Sequence, residues 1–206
     1  MAQPSRFWNR HAKGYAKRPV ADEASYQKKL VLTRDYLNTD MEVLEFGCGT
    51  GTTALALAPL VKYIHAIDIS TKMLEIARTK AETAGIRNVA FVQSGLDDLN
   101  GSDEAYDVVM GHSILHLLDD KEAAIARVYG ILKPGGVFIS STACLGGTMP
   151  VLKVILPIGR FFGLLPLVTF FTADDLVNSL TDAGFQIDHR WQPGKDKAVF
   201  IVAKKV

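Results

Sequence analysis

Three glycines on alternate positions, Gly47, Gly49 and Gly51, follow the short apolar run EVLEF at residues 42–46. Glycine inside regular structure costs roughly 0.5–1 kcal/mol against alanine, so three together imply a tight turn or a ligand close to the main chain. A glycine turn leading from a strand into a helix serves both ends, because the helix N-terminus adds free N–H donors. Asp68 closes a second apolar run, YIHAID, at residues 63–68. In an open parallel sheet, ligands sit outside the carboxyl ends of the strands. A carboxylate there can accept both ribose hydroxyls of a bound adenosine. His112 and His116 lie in GHSILHLL, after a further apolar run. A histidine near its ordinary pKa of about 6.5 can accept a proton at neutral pH. Each of the two could instead only pack or hydrogen-bond.

These residues need a scaffold that places strand ends side by side, and the sequence alternates in that way. Strands are expected at 42–46, 63–68, 88–93, 106–110 and 136–142, then at FQIDHRW and AVFIVAKK. Helices are expected at 52–60, from the Ser70 cap to Ala84 with Gly85 as its stop, at 119–132 ended by LKPGG, and from the Thr172 cap through ADDLVNSLTDAG. Strands alternating with helices of about 10–15 residues imply right-handed crossovers and a parallel sheet covered on both faces. Residues 4–38 read as two further helices around the break RPVADEA. The 206 residues fit a single domain spanning 1–206.

The glycine spacing separates two cofactor classes. The dinucleotide fingerprint is GxGxxG, but Thr52 stands at its third glycine position and Gly51 comes one residue early. Val43-Leu44-Glu45-Phe46-Gly47-Cys48-Gly49-Thr50-Gly51 instead resembles the first motif of the class I S-adenosylmethionine-dependent methyltransferases. The resemblance covers roughly residues 40–142 and resumes through the final helix and strands. It implies a Rossmann-like, seven-stranded, mostly parallel sheet with helices on both faces and an antiparallel last strand. It also implies that Gly47, Cys48, Gly49 and Gly51 hold the amino-acid end of the cofactor and that Glu45 supports the loop. Asp68 would hold the ribose, with Ile69 beside the adenine. Met73 either lines that pocket or belongs to the core. Tyr15 resembles the tyrosine with which many relatives close a helix over the cofactor, and plain packing is its alternative. After the third strand relatives often carry an acid for the adenine amino group. Here Gly95 and Leu96 stand at that place, so either Asp97 or the main chain makes the contact.

Methyl transfer from a sulfonium is an in-line displacement in which the protein mainly supplies proximity and alignment. A base is needed only when the acceptor must lose a proton, and His112 and His116 are the candidates. There is no Asn/Asp-Pro-Pro-Tyr segment after the fourth strand, and GHSI stands in its place. With a net charge of +1 as well, nucleic acid is not an expected partner.

Residues 145–171 are apolar and rich in Pro and Gly, with only Lys153 and Arg160 charged. The charge-free stretch 161–173 is too short for a membrane span, which takes about 20 apolar residues. Three readings are open: a buried helix pair, a lid over an apolar substrate, or a peripheral membrane contact. The lid and the membrane contact both predict an apolar or amphipathic acceptor, such as a quinone precursor or a lipid. Cys48 and Cys144 form no CxxC pair, and with no secretory h-region at the N-terminus a cytoplasmic setting is expected. Two rival functions are a non-catalytic protein binding the same cofactor or a lipid, and a nicotinamide-dependent oxidoreductase.

Overall fold

The computed structural model describes residues 3–99, 103–147, 165–195 and 197–206. Seven strands form one sheet in the order β3-β2-β1-β4-β5-β7-β6. They are β1 (Glu42–Phe46), β2 (Tyr63–Asp68), β3 (Val89–Gln93), β4 (Tyr106–His112), β5 (Leu132–Thr142), β6 (Phe185–Trp191) and β7 (Val199–Lys205). The helices are α1 (Gln3–Ala16), α2 (Glu23–Arg34), α3 (Thr52–Leu57), α4 (Thr71–Ala84), α5 (Lys121–Ile131) and α6 (Ala173–Asp182). The first five strands pair in parallel, and β7 runs antiparallel to both β5 and β6.

Both faces of the sheet are covered, which is why the central strands read as continuous apolar runs. Leu44, Phe46, Val109 and Phe138 face α5 and α6. Val43, Ile64, Met110 and Ile139 face the opposite layer, where Leu57 of α3 and Leu74 of α4 pack. The expected caps form. Ser70 accepts from the Met73 amide, Gly85 ends α4 in the left-handed region, and Thr172 makes a reciprocal capping box with Asp175.

Four boundaries differ from expectation. The helix expected at 52–60 stops at Leu57 and tightens into a 3₁₀ turn, Ala58–Leu60, because Pro59 cannot donate into an α-helical ladder. The helix expected at 119–132 is α5, capped by Asp120, whose side chain accepts from the Ala123 amide. LKPGG is not a free turn. Leu132 already pairs with Tyr106, the chain bulges through Gly135 at φ +75°, and pairing resumes at Val137–Val108. β4 runs on to His112, so no helical turn joins His112 to His116, which lies in the 3₁₀ turn Leu115–Leu117.

Of the apolar insertion, residues 148–164 lie outside the described residues, and with them the choice between lid, helix pair and membrane contact. Its two ends meet, with the Gly146 amide donating to the Phe171 carbonyl at 2.8 Å. Thr169 anchors the returning chain through its amide, which donates to the His116 carbonyl at 2.8 Å. No helix among the described residues is long and apolar enough to cross a membrane.

Candidate active site

The carboxyl ends of β1, β4 and β5 open into a pocket of about 550 Å³, roofed by the end of α1 and by α2. It brings together Tyr15, Glu45, Gly47, Cys48, Gly49 and His112. Each glycine of the loop has positive φ, at +64°, +54° and +71° for Gly47, Gly49 and Gly51, but they differ in what surrounds them. A Cβ on Gly47 would meet the Ile114 side chain at 2.8 Å, and one on Gly51 would meet the Phe91 ring at 2.8 Å and Ala77 Cβ at 2.9 Å. A Cβ on Gly49 would meet nothing within 4 Å. Two glycines therefore serve close packing, and the middle one faces open space.

Asp68 clamps this loop. Its Oδ2 accepts from the Gly49 amide and its Oδ1 from the Ser70 amide, both at 2.8 Å. The Cys48 amide donates to the Ile67 carbonyl at 3.0 Å, tying the loop to β2 a second time. Burial raises the Asp68 pKa, and the two amides hold it down in part.

Glu45 is only 3% exposed, and its Oε2 is buried with no hydrogen-bond partner among the described residues. Burial pushes its pKa up to about 8; the Ala54 amide opposes this and the nearby Asp68 carboxylate adds to it. A buried carboxyl oxygen without a donor, beside open space over a glycine, fits a ligand that brings a cationic donor. The amino-acid end of S-adenosylmethionine is such a ligand, so the residues present fit that cofactor.

The remaining sequence candidates lie outside the pocket lining. α1 covers the end of β2 through Asn9, whose Oδ1 accepts from Ser70 Oγ at 2.8 Å and from the Lys72 amide at 3.1 Å. Met73 is buried at 2% exposure, and Ile69 is part-buried. Leu96 joins the core with Phe46 and Ile67, and Asp97 is exposed. Gly95 approaches Asp98, 3.3 Å from where its Cβ would stand. His116 is held through its backbone carbonyl by Thr169, its Nδ1 buried without a partner among the described residues. Tyr15 keeps 49% of its surface exposed, yet burial at its hydroxyl end, then Asp68 and Glu45, raise its pKa.

Two pocket features were not anticipated. Ser113 follows His112 with φ +55°, a costly conformation for a residue with a side chain. Its amide donates to the Ser141 carbonyl at 2.7 Å, fixing the turn out of β4. Lys29 reaches across from α2, its Nζ donating to Ser141 Oγ at 2.7 Å. Ser141 stands directly opposite His112 in the β4–β5 register.

Burial, then the Lys29 charge, depress the His112 pKa to about 4. The ring is neutral at pH 7 and a weak base. Because the folded value lies below the unfolded 6.5, stability is present above pH 6.5 and is lost as pH falls to about 4. The loss is on the order of 2 kcal/mol for this part-exposed ring. Denaturant unfolding at pH 7, 5 and 4 checks it. His112→Gln flattens that dependence, and an unchanged pH profile in the variant would remove His112 as its source.

The methyltransferase domain family matches residues 43–136. The chain is 33% identical over 97 residues to the uncharacterized methyltransferase YcgJ of Bacillus subtilis, covering 47% of this chain and 38% of that protein. It is 30% identical over 152 residues to a ubiquinone biosynthesis O-methyltransferase of Rickettsia felis, covering 71% of this chain and 61% of that one. The chain thus spans less than two thirds of these relatives. The crystal structure of YcgJ superposes with a TM-score of 0.71 at 20% identity, over 87% of this chain and 98% of that one, and has the same fold.

Proposed function

We propose that this chain, whose residues 43–136 match the methyltransferase domain family and whose fold is that of YcgJ, transfers a methyl group from S-adenosylmethionine to a small, apolar or amphipathic acceptor. The observation that carries the reading is the pairing of open space over Gly49 with the unpartnered Oε2 of Glu45. When bound, the cofactor supplies a methyl group already activated by a sulfonium. The chain's own part is alignment. Asp68 and the Gly47–Gly49–Gly51 turn hold the loop, and Glu45 offers its carboxyl to the cationic end. Asp68 has lone pairs left for the ribose hydroxyls. His112, at the mouth of β4, faces the acceptor side as a neutral hydrogen-bond partner.

The acceptor's character rests on Val20, Tyr26 and Leu30 in the pocket wall and on the nearly uncharged residues 145–171. The Rickettsia felis relative is named for ubiquinone biosynthesis, which makes phenolic quinone precursors the first acceptors to try and lipids the second. Peripheral membrane contact through 145–171 and cytoplasmic residence, with Cys48 and Cys144 both free thiols, belong to the same reading.

Calorimetric titration with S-adenosylmethionine, S-adenosylhomocysteine and NADH tests it. Binding of both sulfur nucleotides and not NADH is expected, and binding of NADH alone would overturn it. The same titration carries a second prediction. Glu45 holds a proton at pH 7 in the free protein, and a cationic partner favours its ionised form. Binding therefore releases up to one proton at pH 7, read as different heats in phosphate and Tris buffers. Glu45→Gln has no proton to release. Identical heats in the two buffers for the parent protein would refute the role given to Glu45.

A further inference from the structure

Four cationic side chains line the pocket, Arg18, Lys29, Lys80 and Lys197. Three of them are accounted for. Lys80 spends its donors on the Thr50 carbonyl, Thr50 Oγ1 and Thr52 Oγ1 at 3.0–3.2 Å. Lys197 pairs with Asp22 at 3.2 Å, and Arg18 is exposed. Lys29 is different. An ammonium has three donors, and among the described residues the single hydrogen bond Lys29 makes is to the neutral Ser141 hydroxyl. It is half-buried, and among the described residues no carboxylate comes within ion-pair distance of it; Asp22, whose charge it feels, pairs with Lys197 instead. A cation withdrawn from water with donors left over costs free energy unless a ligand supplies the anion.

The position of Lys29 says which ligand. The glycine loop and Glu45 belong to β1, whereas Ser141 is on β5, beyond β4. Adjacent strands lie about 4.8 Å apart, which puts Ser141 roughly 10 Å from the loop. Lys29 therefore stands on the His112 side of the pocket, across from the amino-acid end of the cofactor. Val20, Tyr26 and Leu30 line the same pocket. One ammonium with donors to spare, in a pocket that also offers apolar surface, suits a monoanion attached to an apolar body.

Resting on the methyltransferase reading, we propose that the acceptor carries a carboxylate and that Lys29, steadied by Ser141, binds it. The carboxylate could belong to an aliphatic chain or to an aromatic ring, and the test separates them. Protein saturated with S-adenosylhomocysteine is titrated with octanoate and benzoate, and with octanamide and benzamide as neutral counterparts. At least one carboxylate is expected to bind tenfold or more tightly than its amide, about the value of one charge-assisted hydrogen bond. Octanoate ahead of benzoate indicates a fatty acceptor, and the reverse order an aromatic one. Lys29→Met, close in size, should abolish the preference, and Lys29→Arg should retain part of it. Three results would overturn the proposal: carboxylates that bind no better than amides or not at all, a preference that survives in Lys29→Met, or a loss of S-adenosylhomocysteine affinity in that variant. The last would give the ammonium to the cofactor instead. If the parent protein fails to bind S-adenosylhomocysteine, it is the methyltransferase reading that fails.

Discussion

Asp68→Ala is expected to raise the dissociation constant for S-adenosylhomocysteine at least a hundredfold. The carboxylate has two tasks that alanine abandons together. It accepts from the Gly49 and Ser70 amides at 2.8 Å each, and so sets the loop against the end of β2. In the proposed complex its remaining lone pairs receive the ribose hydroxyls. Hydrogen bonds to a charged group are worth about 1.5–3 kcal/mol each, and about 1.4 kcal/mol is tenfold in affinity. Two such bonds suffice for the stated change before any loosening of the loop is counted. Asp68→Asn keeps one acceptor oxygen and should fall between. Titration well below the melting temperature, with circular dichroism to show the variant folded, is the check. An affinity within threefold of the parent would remove Asp68 from the cofactor site.

Gly51→Ala and Gly49→Ala, two residues apart in one loop, should fail in opposite ways. At Gly51 the new methyl would stand 2.8 Å from the Phe91 ring and 2.9 Å from Ala77 Cβ, at φ +71°. The left-handed conformation costs about 1 kcal/mol and overpacking another 1–3 kcal/mol. For a chain of this size that is a fall in melting temperature of roughly 5–15 °C. Phe91 could swing a little, but Ala77 Cβ is fixed by α4. At Gly49 the methyl meets nothing within 4 Å, so the stability cost is only that of the φ of +54°, about 1 kcal/mol. It would, however, fill the space where a ligand approaches the main chain, and affinity for S-adenosylhomocysteine should drop on the order of a hundredfold. Thermal melts and titrations on both variants decide the matter. A Gly49→Ala protein with parental affinity would mean that the open space is not the contact surface.

The loop shows both how far a sequence can be read and where reading stops. Its three glycines and the acid on the next strand are local signals, and they led directly to the geometry at β1 and β2. The helix caps at Ser70 and Thr172 were legible for the same reason, since a cap involves residues three apart. What separates Gly49 from its two neighbours was not legible, because Ile114, Phe91 and Ala77 reach the loop from other elements. Lys29 is the clearest case. Its partner Ser141 lies 112 residues away, and nothing in the composition of α2 singles out one lysine in QKKLV. LKPGG read as a stop because Pro and Gly end helices, yet pairing of Leu132 with Tyr106 draws it into β5. His112 and His116 are four residues apart and looked alike. The run of β4 through His112 sends them to different surroundings.

The antiparallel strand β7 bears on how the molecule is made. Val199–Ala203 is fully buried and lies between β5 and β6. Of the seven strands described, this one is synthesised last. Until then β6 has no neighbour in the sheet, and the outer side of β5 stays unpaired as an adhesive border. The nascent chain can assemble the glycine-loop half early, but that half must wait, partly open, for its final strand. Synthesis and closure of the sheet are thus coupled in time, and the interval between them leaves the β5 edge open to wrong partners.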